Sequence, residues 1–139
     1  MVVRVRVKLR GPRGELETSA LVNTGFEAEE PELVIPERVA ELLGLGEGGI
    51  VHYSLAGGIG ASGIRASSEV EVVLLLGDRP PLERRAVATI MPGEEEVIIS
   101  DRLASELRIA ILDPYRGEWC LSDEVGRKSR RSSEPTLWR

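Results

Sequence analysis

The sequence contains a single cysteine, Cys120, and a single histidine, His52. One cysteine cannot form an intramolecular disulfide bond, and a protein metal site usually needs several ligands, so we expect neither a disulfide nor a metal site. No run approaches the roughly 18 consecutive apolar residues that a membrane-spanning helix needs, and the alternating N-terminal segment does not resemble a signal peptide. The sequence therefore predicts a cytoplasmic protein with no metal, no cofactor and no membrane partner.

Side-chain amides and aromatic residues are also scarce. The chain has no glutamine and one asparagine, Asn23, and aromatic residues make up only 4% of it. Depletion of amides is typical of thermophile proteins. With few aromatic side chains, the core has to consist of Val, Leu, Ile and Ala, and the β-branched members of this set favour strands.

Length and charge divide the chain into a domain and a tail. A chain of 139 residues is long enough for one domain with one core. Residues 1–121 form the predicted domain, and residues 122–139 form a predicted basic, flexible tail with five basic and three acidic residues. The tail thus carries a net charge of +2 and the domain −7, since the total is −5. An acidic domain repels phosphate backbones, so nucleic-acid binding through residues 127–131 is the least favoured alternative.

The N-terminal pattern predicts a β-hairpin that ends at the only asparagine. Val3, Val5, Val7 and Leu9 alternate with basic residues, which is typical of a strand with one buried face. The Gly-Pro-Arg-Gly sequence at 11–14 predicts a turn, and residues 15–22 would return as the partner strand. Asn23 therefore lies where a strand stops.

The rest of the pattern predicts further strands and two short helices. Predicted strands cover residues 33–35, 50–55, 64–76, 85–91, 97–99, 108–112 and 118–121. Pro36 and Gly44 bracket one predicted helix, and Ser100 is the expected N-cap of the other. The predicted fold class is therefore all-β, or mainly β with two short helices.

Three features in this order resemble a known family. They are residues 20–26, with Asn23-Thr24-Gly25 at their centre, residues 33–44, with Pro36 before a short helix, and residues 97–103, with two isoleucines before Ser100. A glycine-rich segment, residues 56–63, lies between the second and the third. The combination is similar to the single-domain, retroviral-type (retropepsin-like) aspartic proteases of prokaryotes, over roughly residues 3–121.

The resemblance implies a retropepsin-like acid protease barrel that contributes half of an active site. Since the chain has one triplet, a second copy would complete the site, so a homodimer acting on a peptide or protein substrate is expected. In the family the triplet holds the catalytic Asp, the Thr fastens the two loops together and the Gly allows close backbone approach. The implied catalytic residues are Asn23, Thr24 and Gly25. The implied flap residues over the peptide are Ala56, Gly57, Gly58, Ile59 and Gly60, and the implied structural supports are Ile98, Ile99 and Ser100.

The sequence departs from the family at two of these positions. Ser100 replaces the usual Gly, which is a mild change at a helix N-cap, although its side chain could crowd the loop. Asn23 replaces the catalytic Asp, and a carboxamide cannot accept a proton from water near neutral pH. The chain as written is therefore expected to bind an extended peptide without cleaving it.

Alternatives remain for both the function and Asn23. The chain could be an aspartic endopeptidase in an inactive form, or a non-catalytic pseudoprotease that acts as a peptide-binding or assembly module. Asn23 could be an engineered substitution, a natural feature of a pseudoenzyme, or a residue that slowly deamidates to Asp. Its being the only amide in the chain favours the first of these three origins.

Overall fold

The structure, a computed structural model, describes residues 2–139, apart from the side chain of Ala56. It consists mainly of β-strands, with a closed six-stranded barrel and two helices. The strands are β1 (Arg4–Gly11), β2 (Gly14–Val22), β3 (Glu32–Ile35), β4 (Glu47–Ser54), β5 (Gly60–Ala66), β6 (Val70–Leu74), β7 (Leu82–Ile90), β8 (Val97–Ile99), β9 (Ile109–Asp113), β10 (Glu118–Leu121) and β11 (Arg130–Arg131). The helices are α1 (Glu37–Leu43) and α2 (Asp101–Glu106), and short 3₁₀ turns lie at Ala56–Gly58 and Ser122–Glu124.

The N-terminal hairpin forms as its alternation predicts. β1 and β2 pair in antiparallel register from Arg4 opposite Leu21 to Gly11 opposite Gly14. Val5, Val7 and Leu9 are buried in the core, and the intervening basic side chains are partly exposed. The hairpin therefore forms one wall of the barrel, and Asn23 lies directly after its second strand, β2.

Six strands close the barrel in the order β3, β8, β2, β1, β6 and β7, because β7 also pairs with β3. The β2–β8 and β3–β7 pairs are parallel, and the other neighbours in the ring are antiparallel. The buried core consists almost entirely of Val, Leu, Ile and Ala, as the scarcity of aromatic residues predicts. Closure leaves no free edge within this ring.

A hairpin of β4 and β5 projects from the barrel and carries the glycine-rich segment at its tip. It joins the barrel where Ile64 and Arg65 of β5 pair with Ile90 and Thr89 of β7. The single strand predicted over residues 64–76 is wrong, because the structure divides it into β5 and β6. One straight strand could not serve both sets of partners, since β5 pairs with β4 and the end of β7, whereas β6 pairs with β1 and the start of β7.

The first helix begins and ends at the predicted residues, and the second begins at its predicted N-cap. Pro36 precedes α1, and Gly44 ends it in the left-handed region at φ 69°, which glycine adopts without a Cβ clash. Ser100 caps α2, since its Oγ accepts the Leu103 N–H at 3.2 Å. Within residues 2–139, neither helix is long and apolar enough to cross a membrane.

Residues 122–139 differ from the predicted flexible tail, because they pack against the barrel. Ser133 N–H donates to the Arg4 carbonyl at 2.8 Å, and the Trp138 indole N–H donates to Thr18 Oγ1 at 2.9 Å. Thr136 and Ser19 exchange two backbone-to-hydroxyl hydrogen bonds. Most of these contacts join hydroxyl and backbone groups, and apolar periodicity in the sequence does not predict such contacts.

A charged cluster fixes the start of this segment. The Arg130 guanidinium contacts Glu124 at 2.7 Å and Asp78 at 2.8 Å, and it lies 5.7 Å from the centre of the Trp119 ring. Arg79 also contacts Glu124, at 3.1 Å. The side chains of Arg130 and Glu124 are only 10% and 9% exposed, so this ion pair is screened much less than a surface pair. Hydrogen bonds from Arg130 are the main cause that lowers the pKa of Glu124 to about 2.

We expect this cluster to make stability depend on pH in acid. The pKa of Glu124 is lower in the folded protein than its ordinary value of 4.5, so its contribution is complete above about pH 4.5 and is lost as pH falls towards 2. The loss is of the order of 2 kcal/mol. When denaturant unfolding is measured from pH 6 to pH 2, the free energy of unfolding should fall less steeply with pH for Glu124→Gln than for the parent. Glu69→Gln, at an exposed carboxylate without an ion pair in the described residues, should leave the slope unchanged. Equal slopes for the parent and Glu124→Gln would contradict this assignment.

Candidate functional site

The Asn23 loop is shaped by hydrogen bonds within it and to β8. The Asn23 N–H donates to the Ile99 carbonyl at 3.2 Å, which continues the β2–β8 pairing by one residue. The Asn23 Oδ1 accepts the Gly25 N–H at 3.0 Å, and the Asn23 carbonyl accepts the Phe26 N–H at 3.0 Å. Such a local side-chain bond is the usual way in which Asn stabilises a turn. The Asn23 residue as a whole is exposed.

The junction between β8 and α2 supports this loop from behind. The Asp101 N–H donates to the Phe26 carbonyl at 2.9 Å, and Asp101 Oδ1 accepts the Ala28 N–H at 2.9 Å. Ser100 is fully buried, and its Oγ accepts N–H groups of both Glu32 and Leu103, each at 3.2 Å. The serine hydroxyl is thus accommodated by two hydrogen bonds and does not crowd the loop.

A cleft of about 700 Å³ lies in front of the loop. The residues that line it come from the Asn23 loop, from β3, from both strands of the projecting hairpin and from the segments around β8. They are Asn23, Gly25, Phe26, Glu27, Val34, His52, Tyr53, Ser54, Leu55, Ala61, Met91, Glu94 and Ile98. The triplet, the Ile98 segment and the hairpin, which are distant in sequence, therefore surround one space.

The structure does not bring every predicted site residue to this cleft. Thr24 faces a second hollow of about 430 Å³, which it shares with Ile109 and Ile111 of β9. Ile99 and Ser100, which were predicted to be structural supports, are buried behind the loop. Both hollows adjoin the same three-residue turn, so the Asn-Thr-Gly triplet separates them.

The predicted flap residues lie at the hairpin tip, beyond the cleft lining. Gly57 and Gly58 adopt φ angles of 82° and 76°, which strongly favour glycine, and Ile59 is 64% exposed. Gly60 begins β5 and is exposed, and the side chain of Ala56 lies outside the described part of the chain. Instead, the cleft is lined by residues 52–54 of β4, by Leu55 directly after that strand, and by Ala61 of β5.

Sequence reasoning missed a polar cluster at the base of the hairpin. Tyr53 of β4 donates its hydroxyl to Glu32 Oε2 and lies 2.7 Å from Thr89 Oγ1 of β7. Arg65 of β5 lies 3.5 Å from Glu32 Oε1. Burial and the bond to Glu32 raise the pKa of Tyr53 to about 12, so its hydroxyl keeps its proton at neutral pH. The only signal in the sequence was Glu32 directly before a strongly apolar run.

The charges along the cleft are acidic or neutral. Among residues 2–139, Glu27 and Glu94 line it and no Lys or Arg does. His52 also lines it and is hydrogen-bonded through Nδ1 to Ser62 Oγ at 3.0 Å. Within residues 2–139, no group of three His, Cys, Asp or Glu side chains is placed to hold a metal ion.

The groups at the centre of the cleft can donate and accept hydrogen bonds but provide no carboxylate at position 23. An exposed carboxamide beside exposed backbone can bind an extended peptide, yet it cannot move a proton between water and a peptide carbonyl. Comparisons of the chain with protein-family models and with curated proteins give no match.

Proposed function

We propose that the chain is an aspartic endopeptidase-like protein of the retropepsin type, which holds an extended peptide between its cleft and the β4–β5 hairpin. The observation that carries the proposal is the meeting of Asn23, Ile98 and the base of the glycine-tipped hairpin around one cleft. Asn23 and Ile98 belong to the first and the third of the features whose order in the sequence resembles that family, and the hairpin carries the glycine-rich segment that lies between the second and the third. With Asn at position 23 the protein binds the peptide without cleaving it.

The chemistry of the proposed site requires two chains. In an aspartic protease two carboxylates share one proton, because like charges so close together cannot both ionise cheaply. One carboxylate then accepts a proton from water while the other donates one to the peptide carbonyl. Each chain here has a single triplet, so a twofold-related copy would supply the second half of the site.

The second hollow favours the surface around β9 as the place where that copy binds. Thr24 lies in it beside Ile109 and Ile111, and Leu112 of the same strand is 42% exposed. Among residues 2–139, β9 pairs with β10 alone, so its other edge is available to a further strand. An unpaired edge with apolar side chains is a template for pairing with another chain. Association there would bring the two Thr24 residues towards each other.

The second candidate is a non-catalytic pseudoprotease that uses the same dimer groove for peptide binding or assembly. The absence of a carboxylate at Asn23 favours it. A nucleic-acid role for residues 127–131 loses support, because Lys128 and Arg130 contact Asp78, and Arg130 also contacts Glu124. Those basic groups are largely neutralised within the fold.

The proposal is tested by measuring association and peptide binding together. We expect sedimentation to show a dimer, and we expect that dimer to retain members of a library of extended peptides. The substitution Leu112→Lys should raise the dimer dissociation constant at least about tenfold by placing a charge in the apolar interface, and it should weaken peptide binding in parallel.

Leu42→Lys is the matched control, since Leu42 is 40% exposed on α1, away from β9. It should leave both measurements unchanged. A protein that stays monomeric at every concentration would refute both candidate functions, because neither has a complete groove in one chain. A dimer that retains no peptide would support the proposed dimerisation and contradict the proposed peptide binding.

A further inference from the structure

The buried carboxylate of Glu32 contacts both strands of the projecting hairpin. Its Oε2 accepts the hydroxyl proton of Tyr53 on β4, and its Oε1 lies 3.5 Å from Arg65 Nη2 on β5. The Glu32 side chain is only 8% exposed. A buried carboxylate is costly unless charge and hydrogen bonds compensate it, so these contacts hold each other in place.

Thr89 of β7 completes the group and connects it to the barrel wall. Its Oγ1 lies 2.7 Å from the Tyr53 oxygen and 3.2 Å from Glu32 Oε2. Packing is close at this point, because a Cβ added to Gly63 of β5 would lie 2.6 Å from Thr89 Cγ2. The hairpin base therefore has little room to shift without breaking the contacts of Tyr53.

Glu32 is also bonded to the segment behind the Asn23 loop. Its backbone N–H donates to Ser100 Oγ at 3.2 Å, and its carbonyl accepts the Ser100 N–H at 3.0 Å. On the other side, the Tyr53 ring stands edge-on to Phe26, at 5.9 Å between centroids. One residue thus links the hairpin, the barrel and the support of the Asn-Thr-Gly turn.

We propose that Glu32, Tyr53, Arg65 and Thr89 form a clamp that positions the β4–β5 hairpin over the cleft, with Glu32 as the central positioning residue. The clamp holds the base of the hairpin against β3 and β7, beside the cleft. Peptide affinity then depends on the clamp, because an ordered hairpin has less conformational entropy to lose on binding. This last step rests on the proposed function, whereas the clamp itself does not.

The test removes one oxygen atom from the clamp. In Tyr53→Phe the ring that contacts Phe26 remains, and only the hydroxyl bonds to Glu32 and Thr89 are lost. Hydrogen exchange of the unliganded protein should become about tenfold faster over residues 50–62, with no change in β1 and β2, because local opening is governed by local contacts. Arg65→Met, which removes the contact of β5 with Glu32, should also speed hydrogen exchange over residues 50–62.

Tyr115→Phe is the matched control, since Tyr115 is 79% exposed and is the only other tyrosine. It should leave exchange in the hairpin unchanged. Spectroscopic titration adds an independent readout. The parent should show a tyrosine that ionises near pH 12, and that transition should be absent from Tyr53→Phe and retained in Tyr115→Phe.

Three outcomes distinguish the clamp from its role in peptide binding. Unchanged hairpin exchange in Tyr53→Phe and Arg65→Met would overturn the clamp, whatever the protein binds. Faster exchange in the free protein together with about tenfold weaker retention of peptides would support both the clamp and its role in binding. Faster exchange with unaltered peptide retention would support the clamp and overturn its role in peptide binding.

Discussion

The Asn23→Asp variant is expected to cleave peptides that the parent chain only binds, at a rate at least about 10³-fold higher. The substitution replaces a neutral amide with a carboxylate at the centre of the cleft, without a change in side-chain size. In a dimer the two carboxylates would share a proton and supply both the base and the acid. Product formation from peptides, followed from acid to neutral pH, measures the gain.

The pH profile of this variant carries further information. Since the two carboxylates titrate as a coupled pair, activity should require one proton on the pair and should decline on both sides of an optimum. Asn23→Ala should remain inactive at every pH, which controls for an effect of changing the loop. Adding Leu112→Lys to Asn23→Asp should remove activity in parallel with dimer dissociation. A folded, dimeric Asn23→Asp protein that cleaves nothing in a broad peptide library would favour the pseudoprotease.

The Arg130→Met variant is expected to lose about 3 kcal/mol of its free energy of unfolding. The substitution keeps most of the apolar stem but leaves the nearly buried Glu124 carboxylate with one fewer guanidinium, and it removes the cation–π contact with Trp119. Removing one partner of a buried ion pair is costly, because the remaining charge loses its compensation. Denaturant unfolding at neutral pH measures the loss.

Arg131→Met provides a matched control one residue away. The Arg131 residue is exposed, its backbone pairs with Glu118 of β10, and its carbonyl accepts the Trp119 indole N–H at 3.3 Å. Its loss of stability should stay within about 0.5 kcal/mol, as is usual for surface substitutions. Similar stabilities for the two variants would show that residues 122–139 contribute little to the folded unit.

Local patterns in the sequence predicted much of the secondary structure. Alternation from Val3 to Leu9 predicted the first hairpin, because burial of one face of a strand has a period of two residues. Gly44 and Ser100 predicted a helix end and a helix start, because a left-handed φ angle and an N-cap hydrogen bond are properties of single residues. Such signals need no knowledge of distant neighbours.

The division of residues 64–76 into β5 and β6 could not be predicted in this way. Both parts are strand-like in composition, and only the competition between β4, β1 and the two ends of β7 for partners separates them. The position of the hairpin base depends on the same long-range pairing.

The candidate site likewise has some features that local sequence shows and others that only long-range contacts determine. The triplet Asn23-Thr24-Gly25 and its resemblance to a catalytic turn are readable in the sequence. That Thr24 faces a hollow beside β9 while Asn23 and Gly25 face the cleft is a consequence of the tertiary structure. Glu32 appeared in the sequence as the end of an acidic segment, and only the fold surrounds its carboxylate with Tyr53, Arg65 and Thr89.

By itself the sequence determined a β-rich domain with an aliphatic core, two capped helices and one Asn-Thr-Gly turn at a strand end. Burial periodicity, caps and turns are local properties, so a single chain reveals them. The tertiary structure decided which strands close the barrel, where the hairpin sits over the cleft, and that residues 122–139 join the fold. Each of these depends on pairs such as Arg130 with Glu124 or Trp138 with Thr18, whose attraction exists only after distant segments have been brought together.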